Sequence, residues 1–374
     1  MNGDTDRLAD LRGRRAAMVD LLADLVGIES PSADQGALLT CVEALARAGG
    51  ALLGRPPVAV AQDPPALLWP AEGSSPVLVL CHLDTVWPAG TLARWPFAVG
   101  ADGRATGPGA FDMKAGIVQA LYAIASCARP HQVALLVTSD EELGSPASRA
   151  LIEAHARPAR AALVFEAAAG TSVKVARKGA SRYDICVTGR AAHAGLEPER
   201  GANALEGLAE IVLALRAIAR PDLGTTVVPT LAEAGTTSNT VPALARLAID
   251  SRAASEREQQ RVDAELRSVS TSVPGTRVVV EGGINRPPLP RSASEALYAT
   301  LRDCARGLGL EVPGAAEVGG ASDGNFTAAI GVPTLDGLGA LGGNAHAEGE
   351  WVDTTVMADR AALAAELLDA LTTP

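Results

Sequence analysis

The sequence predicts an α/β protein with a mostly parallel central sheet, interrupted by a smaller α+β domain of ferredoxin-like pattern. Three observations carry that expectation. Short apolar runs, "SPVLVLCHLD", "VALLVTS" and "AALVFE", alternate with helical patterns in the first half of the chain. Past Lys178 the pattern changes to alternating strands and two amphipathic helices in the order β-α-β-β-α-β. The proline-rich "NRPPLPRS" then closes that insertion, and helix and strand signals resume. The expected boundaries are residues 1–177 and 288–374 for a discontinuous main domain and 178–287 for the insert. A chain of 374 residues is long enough to need this division.

Taken in order, Leu8, Leu11, Met18, Leu21, Leu22 and Leu25 recur at helical spacing and predict an amphipathic helix through about Val26. Leu38 to Ala48 predicts a second. The run before His82 is apolar, rich in β-formers and preceded by Pro76, so it predicts a buried strand. "DMKAGIVQALYAIASCA" reads as a helix, "VALLVTS" as a strand, "SPASRALIEAHA" as a helix and "AALVFE" as a third buried strand. In the insert, "SRYDICVTG" alternates like a half-exposed strand and "ANALEGLAEIVLALRAIA" is a long amphipathic helix. "TTVVPTLAEAG" and "ARLAIDSRA" are strand-like, "EREQQRVDAELRSVS" is a surface helix and "TRVVVEGGI" a last strand. Beyond the prolines come a helix at Glu295–Gly307, the strand-like "GVPTLDG" and a terminal helix from about Thr355 to Leu371.

Composition narrows the function. A formal charge of −11, with no basic stripe, argues against nucleic acid as a partner. No basic start with an apolar stretch behind it marks the N-terminus for secretion, and no apolar run of about eighteen residues reads as a membrane span. The five cysteines are widely spaced, fit neither a disulfide framework nor a paired zinc motif, and read as reduced thiols in a cytoplasmic protein. His131 and His155 sit beside polar turns and read as structural.

The chemistry concentrates at strand ends. His82 and Asp84 follow the first buried strand, Glu141 and Glu142 the second, and Glu166 the third. His346 lies in a glycine-rich stretch near the C-terminus, and Asp112 lies in "GPGAFDMKAG". Ligands of open α/β sheets bind beyond the carboxyl ends of the strands, so these residues can converge. Each has an ordinary alternative. Ser139 and Glu142 match a capping box, Asp112 could cap a helix, Glu166 could be a solvated carboxylate, and a histidine after a strand is often a core residue. As a set, imidazoles and carboxylates suit binuclear metal hydrolysis: one carboxylate bridges two ions and another takes a proton from water. Asp84 shares a strand face with His82 and can accept its free ring N–H.

The motifs "CHLDTV", "GPGAFDMKAG", "SDEELGS", "FEAA" and "GNAHAEGEWV", in this order, resemble the metal-site motifs of the zinc-dependent glutamate carboxypeptidase, aminoacylase and succinyl-diaminopimelate desuccinylase family. The resemblance spans nearly the whole chain and implies a zinc-peptidase-like catalytic domain with an inserted lid and dimerisation domain. Two Zn²⁺ are implied, replaceable by Co²⁺ or Mn²⁺. His82 and Glu166 would bind one ion, Glu142 and His346 the other, and Asp112 both, with a cis peptide after Asp112. Glu141 would be the general base and Asp84 would orient His82. Glu at position 166 looks like the glutamate carboxypeptidase branch. In the insert, His193 of "GRAAHAG" would reach across a homodimer interface to the oxyanion, its alternative being an ordinary loop histidine. Asn239 and Arg252 would hold the substrate's free carboxylate, and the alternative for Arg252 is a surface ion pair. Gly320 would let substrate approach the backbone, and Arg286 would contact a substrate side chain. The implied activity is hydrolysis of the amide bond of an N-acyl amino acid or short peptide with a free C-terminal carboxylate. The alternatives are an N-acyl-amino-acid deacylase, a dipeptidase or a biosynthetic deprotecting hydrolase, and outside catalysis a binding protein on the same fold.

Overall fold

The computed structural model describes residues 4–60 and 62–373. They fall into two compact units: one runs to Ala176 and resumes at Leu289–Val318 and from Ser322 onward, the other is Arg177–Pro288 with Gly319–Ala321.

The first unit is built on a six-stranded sheet in the order Val58–Val60, Ala66–Trp69, Val133–Thr138, Val77–His82, Ala161–Val164 and Thr334–Leu335. The last four are mutually parallel, and the first two join antiparallel at one edge. Every residue of Val77–His82 and Val133–Thr138 is buried, which is why they read as unbroken apolar runs and not as alternation. One face packs against the helices Arg15–Val26, Gln35–Leu53, Ala115–Ser126 and Met357–Thr372 through residues such as Met18, Leu45, Leu121 and Leu367. The opposite face packs against Ile152 and Phe326 of the helices Arg149–Ala156 and Gly324–Ala329. His82 pairs in register with Thr138, so the loops carrying Asp84 and Glu141 leave the sheet side by side.

Several expectations need correction. The N-terminal helix is two, Asp4–Gly13 and Arg15–Val26, broken at Arg14 (φ −92°, ψ 4°). The second helix is longer than expected, Gln35–Leu53, started by Asp34, whose Oδ1 accepts the amide of Ala37 at 3.0 Å. By length and composition it is apolar enough to cross a membrane. Here it lays Leu38, Cys41, Val42, Leu45 and Gly49 on the core of the first unit. The helix expected from Asp112 begins only at Ala115, because Asp112 (φ −117°, ψ 93°) and Met113 (φ −132°, ψ 34°) are not helical. A small antiparallel sheet, Gly342–Gly343, Trp351–Asp353, Arg104–Thr106 and Ala98–Val99, has strands too short for any periodicity to announce.

The second unit has an antiparallel sheet in the order Thr226–Ala234, Leu244–Ala253, Gly179–Thr188 and Arg277–Arg286, the ferredoxin-like arrangement. The helices Ala204–Ile218 and Glu256–Arg267 cover one face, burying Leu208, Ile211, Leu215, Val262 and Leu266 against Tyr183, Ile185, Val187 and Ile249. Asn203 and Ser255 cap them by accepting the amides of Leu205 (3.0 Å) and Glu258 (3.3 Å). Each such cap contributes about 1 kcal/mol.

Candidate metal centre

In the first unit, Asp112 stands between two histidine–carboxylate pairs. Its Oδ1 lies 3.4 Å from His82 Nε2, which is itself 3.4 Å from Glu166 Oε1. Its Oδ2 lies 3.3 Å from His346 Nε2, which is 3.3 Å from Glu142 Oε1. His82 Nε2, Asp112 Oδ1 and Glu142 Oε1 are buried and make no hydrogen bond among the described residues. Buried polar atoms are rarely left so. Donor atoms bound at roughly 2.0–2.1 Å to one tetrahedral cation sit about 3.3–3.4 Å apart, so the spacing fits two cation sites sharing Asp112. The donor set of imidazole and carboxylate fits as well. The Asp112–Met113 peptide is cis, as the resemblance implied.

Glu141 is buried, and one of its carboxylate oxygens lies within 4.8 Å of a ring nitrogen of His82 and an oxygen of Glu166. Asp84 does more than was expected of it. Its Oδ1 accepts the amide of Glu141 at 3.2 Å, and its Oδ2 accepts the amide of Glu142 at 3.1 Å and the Ser32 hydroxyl at 2.8 Å. The ring Nδ1 of His82 faces the main-chain carbonyl of Asp84 at 3.1 Å, nearer than its carboxylate at 3.4 Å. One buried carboxylate therefore sets the loop carrying Glu141 and Glu142, while its own backbone orients His82. The capping-box alternative fails: the Ser139 hydroxyl donates to Pro65 O, and Glu142 points at His346. Asp140 turns the other way, its Oδ2 accepting the amides of Ala147 (2.8 Å) and Ser148 (3.1 Å) ahead of the helix Arg149–Ala156.

The electrostatics are those of a packed ligand set. Burial lowers the pKa of His82, but Asp112, Asp84 and Glu166 outweigh it and hold the ring well above the ordinary value. Asp112 and Glu142 hold His346 up to about 10. Burial raises Asp112, yet the two imidazoles bring it far below the usual carboxylate range. At Glu142 burial wins and the pKa is raised. A cation would take the place of the protons that these rings otherwise keep.

The profile of the family described as "Peptidase family M20/M25/M40" matches residues 78–370. The chain belongs to this peptidase family. It is 30% identical over 319 residues to carboxypeptidase G2 of Pseudomonas sp. (strain RS-16), covering 79% of this chain and 74% of that protein. It is 28% identical over 272 residues to succinyl-diaminopimelate desuccinylase 2 of Shewanella loihica, covering 66% and 72%. Among solved structures, the M20 family metallo-carboxypeptidase Sso-CP2 from Sulfolobus solfataricus superposes with a TM-score of 0.75 at 18% identity, over 95% of this chain and 99% of that one. A Bacillus subtilis protein described as a dinuclear metal binding peptidase of the M20 family, YXEP, gives 0.72 at 14% identity, over 96% and 98%. These two show likeness of fold. The family's members include named hydrolases, and this M20 chain is an enzyme of the same metallopeptidase class.

The remaining site candidates of this M20 chain lie in the second unit. His193 and Asn239 come together: Ala194 N donates to Asn239 O at 2.9 Å, and His193 bridges to Thr240. His193 is exposed, and its Nδ1 accepts the amide of Gly195 at 3.1 Å. Arg252 forms a two-pronged ion pair with Asp250, both contacts at 2.8 Å, so the surface ion pair weighed as its alternative is present. Residues two apart on a strand share a face, which allows it. Gly320 O accepts from Arg177 Nη1 at 3.0 Å. An added Cβ at Gly320 would meet only Arg177 Nη1, at 3.8 Å, so no crowding requires glycine there. Arg286 is buried at the end of its strand. Sequence reasoning passed over Glu350, four residues beyond His346 in "NAHAEGEWV"; its signal was an acidic residue between a glycine turn and an apolar strand.

Proposed function

We propose that the chain is a binuclear metal-dependent amidohydrolase that removes the C-terminal residue of an N-acyl amino acid or short peptide with a free carboxylate, in the manner of a glutamate carboxypeptidase. The observation that supports this best is Asp112, one oxygen toward His82 and Glu166 and the other toward His346 and Glu142. His82, Glu166 and Asp112 would hold one cation, and Glu142, His346 and Asp112 the other. Zinc suits these donors, and cobalt or manganese can replace it. Bound there, the cations would supply Lewis-acid polarisation of the scissile carbonyl and would acidify a water.

The chain's own residues carry the rest. Glu141 takes the proton of the attacking water and delivers it to the departing amine. Asp84 keeps Glu141, Glu142 and His82 in register. Arg252 and Asn239 bind the substrate carboxylate, with Asp250 yielding part of its hold on the guanidinium. Gly320 lets the substrate approach the main chain, and Arg286 contacts a substrate side chain. His193, contributed by the second subunit of a homodimer formed through the inserted unit, donates to the oxyanion. Glu141→Gln should lose turnover by about 10²–10⁴-fold with the cation content unchanged. Full activity in that variant overturns the assignment. Rates on acyl-Glu, acyl-Asp, acyl-Arg and dipeptide panels separate the carboxypeptidase from a deacylase, a dipeptidase or a deprotecting hydrolase.

A further inference from the structure

Glu350 is fully buried, with 0% of its surface exposed. Its Oε1 accepts the amides of Phe111 at 2.7 Å and Asp112 at 2.9 Å. Its Oε2 accepts the amide of Gly109 at 3.1 Å and the indole Nε1 of Trp87 at 2.9 Å. A carboxylate has about four acceptor positions, and all four are used, each by a neutral donor. Those donors belong to two loops: the one following His82 and Asp84, and the one carrying Asp112. Glu350 itself ends a third, the loop of His346.

The two histidines are held very differently. His82 lies on a central strand paired on both sides, and its side chain is 2% exposed. The His346 side chain is 51% exposed and sits in a loop where Asn344 (φ 61°) and His346 (φ 62°) are both left-handed. Within that loop Ala347 N donates to Asn344 O at 3.0 Å and Glu350 N to Ala347 O at 3.1 Å. Such a short internal scaffold needs an anchor, and the buried carboxylate of Glu350 supplies it.

We propose that Glu350 is a positioning residue that ties the His346 loop to the Asp112 loop and thereby controls the cation site of His346 and Glu142 more than that of His82 and Glu166. This rests on the cation pair proposed above. Loss of Glu350 frees His346 and the Oδ2 side of Asp112, while sheet register still holds His82.

The test uses metal-free full-length protein titrated with Zn²⁺ or Co²⁺ against a chromophoric chelator, with thermal unfolding followed in parallel. Glu350→Gln keeps the shape but turns one acceptor oxygen into a donor facing donors. Trp87→Phe removes a single donor and serves if Glu350→Gln does not fold. The parent should bind two cations. Glu350→Gln should retain one within about threefold and weaken the other about 10–100-fold, the usual range for loss of a group that orients a ligand. Trp87→Phe should weaken that same cation by a smaller factor. In a His346→Ala background neither substitution should reduce the remaining affinity further. Equal weakening of both cations, or both affinities kept while only the unfolding temperature falls, overturns the positioning role. Fewer than two cations in the parent overturns the binuclear reading instead.

Discussion

Replacing Gly116 by Ala should destabilise the protein, against the intrinsic preference of the helix. Gly116 is the second residue of Ala115–Ser126 and is buried. A Cβ there would stand 2.0 Å from Phe165 O and 3.1 Å from Met113 Cε. Carbon and oxygen rest at about 3.3 Å or more, so helix and strand end would have to part by over about 1 Å. The strand end has little room to shift, because Gly339 also packs closely on it: a Cβ there would stand 2.2 Å from the same oxygen. Helix propensity favours Ala over Gly by roughly 0.5–1 kcal/mol. Overpacking of a dense core costs about 1–3 kcal/mol, occasionally more. The second effect wins, for a net loss of about 1–2 kcal/mol. Gly36 is the matched control: it is also second in its helix, it is exposed, and its Cβ would meet only Asp34 Oδ1, at 3.5 Å. Urea unfolding of the metal-free proteins should show Gly36→Ala unchanged or stabilised and Gly116→Ala with a lowered midpoint. Equal shifts in the two variants would refute the packing account.

Asp140→Ala should cost about 1–2 kcal/mol in urea unfolding, through the lost acceptor for Ala147 and Ser148, and leave the cation content intact. Asp84→Asn should lower cation affinity or turnover about 10–100-fold, read by chelator competition and initial rates, because an amide cannot accept at both the Glu141 and Glu142 N–H groups. Arg252→Ala should raise KM for substrates with a free carboxylate about tenfold or more and leave rates on the corresponding amides nearly unchanged. Burial pushes the thiols of Cys127 and Cys304 up to about 11, so their alkylation in the native state should quicken about tenfold per pH unit from 7 to 10.

What could be read in the sequence followed from burial. Strands covered on both faces announce themselves as apolar runs, and polar residues at or just beyond their ends stood out: His82, Glu141, Glu142 and Glu166. The insert was legible for the opposite reason, since Gly179–Thr188 has one open face and alternates. Other features left no such trace. The edge strand Val58–Val60 and the two- and three-residue strands around Trp351 are too short for a period to show. The helix start was misjudged at Asp112, because the bend at Asp112 and Met113 lies inside a run of good helix formers. The Arg252–Asp250 pair depends on which way two side chains lean on one strand face. The amide-gathering roles of Asp84 and Glu350 left little trace in sequence, since all but one partner of each, the Ser32 hydroxyl and the Trp87 indole, are main-chain groups that almost any residue would offer.

The interleaving of the two units has a consequence for the order in which the protein can be made. The apolar core of the inserted unit, from Tyr183 to Leu266, comes from one unbroken stretch of chain. The other unit closes only with Thr334–Leu335 at its sheet edge and with the nearly inaccessible face of Met357–Thr372, where Met357, Ala361, Ala365 and Leu368 are all at 0%. Domains fold as their residues emerge from the ribosome. The insert can therefore be finished while the unit that brackets it still waits for its last helix. His82, Asp112, Glu142 and Glu166 are then already synthesised, and His346 arrives with the segment that completes the core. The centre and the fold around it are completed by the same final stretch of chain.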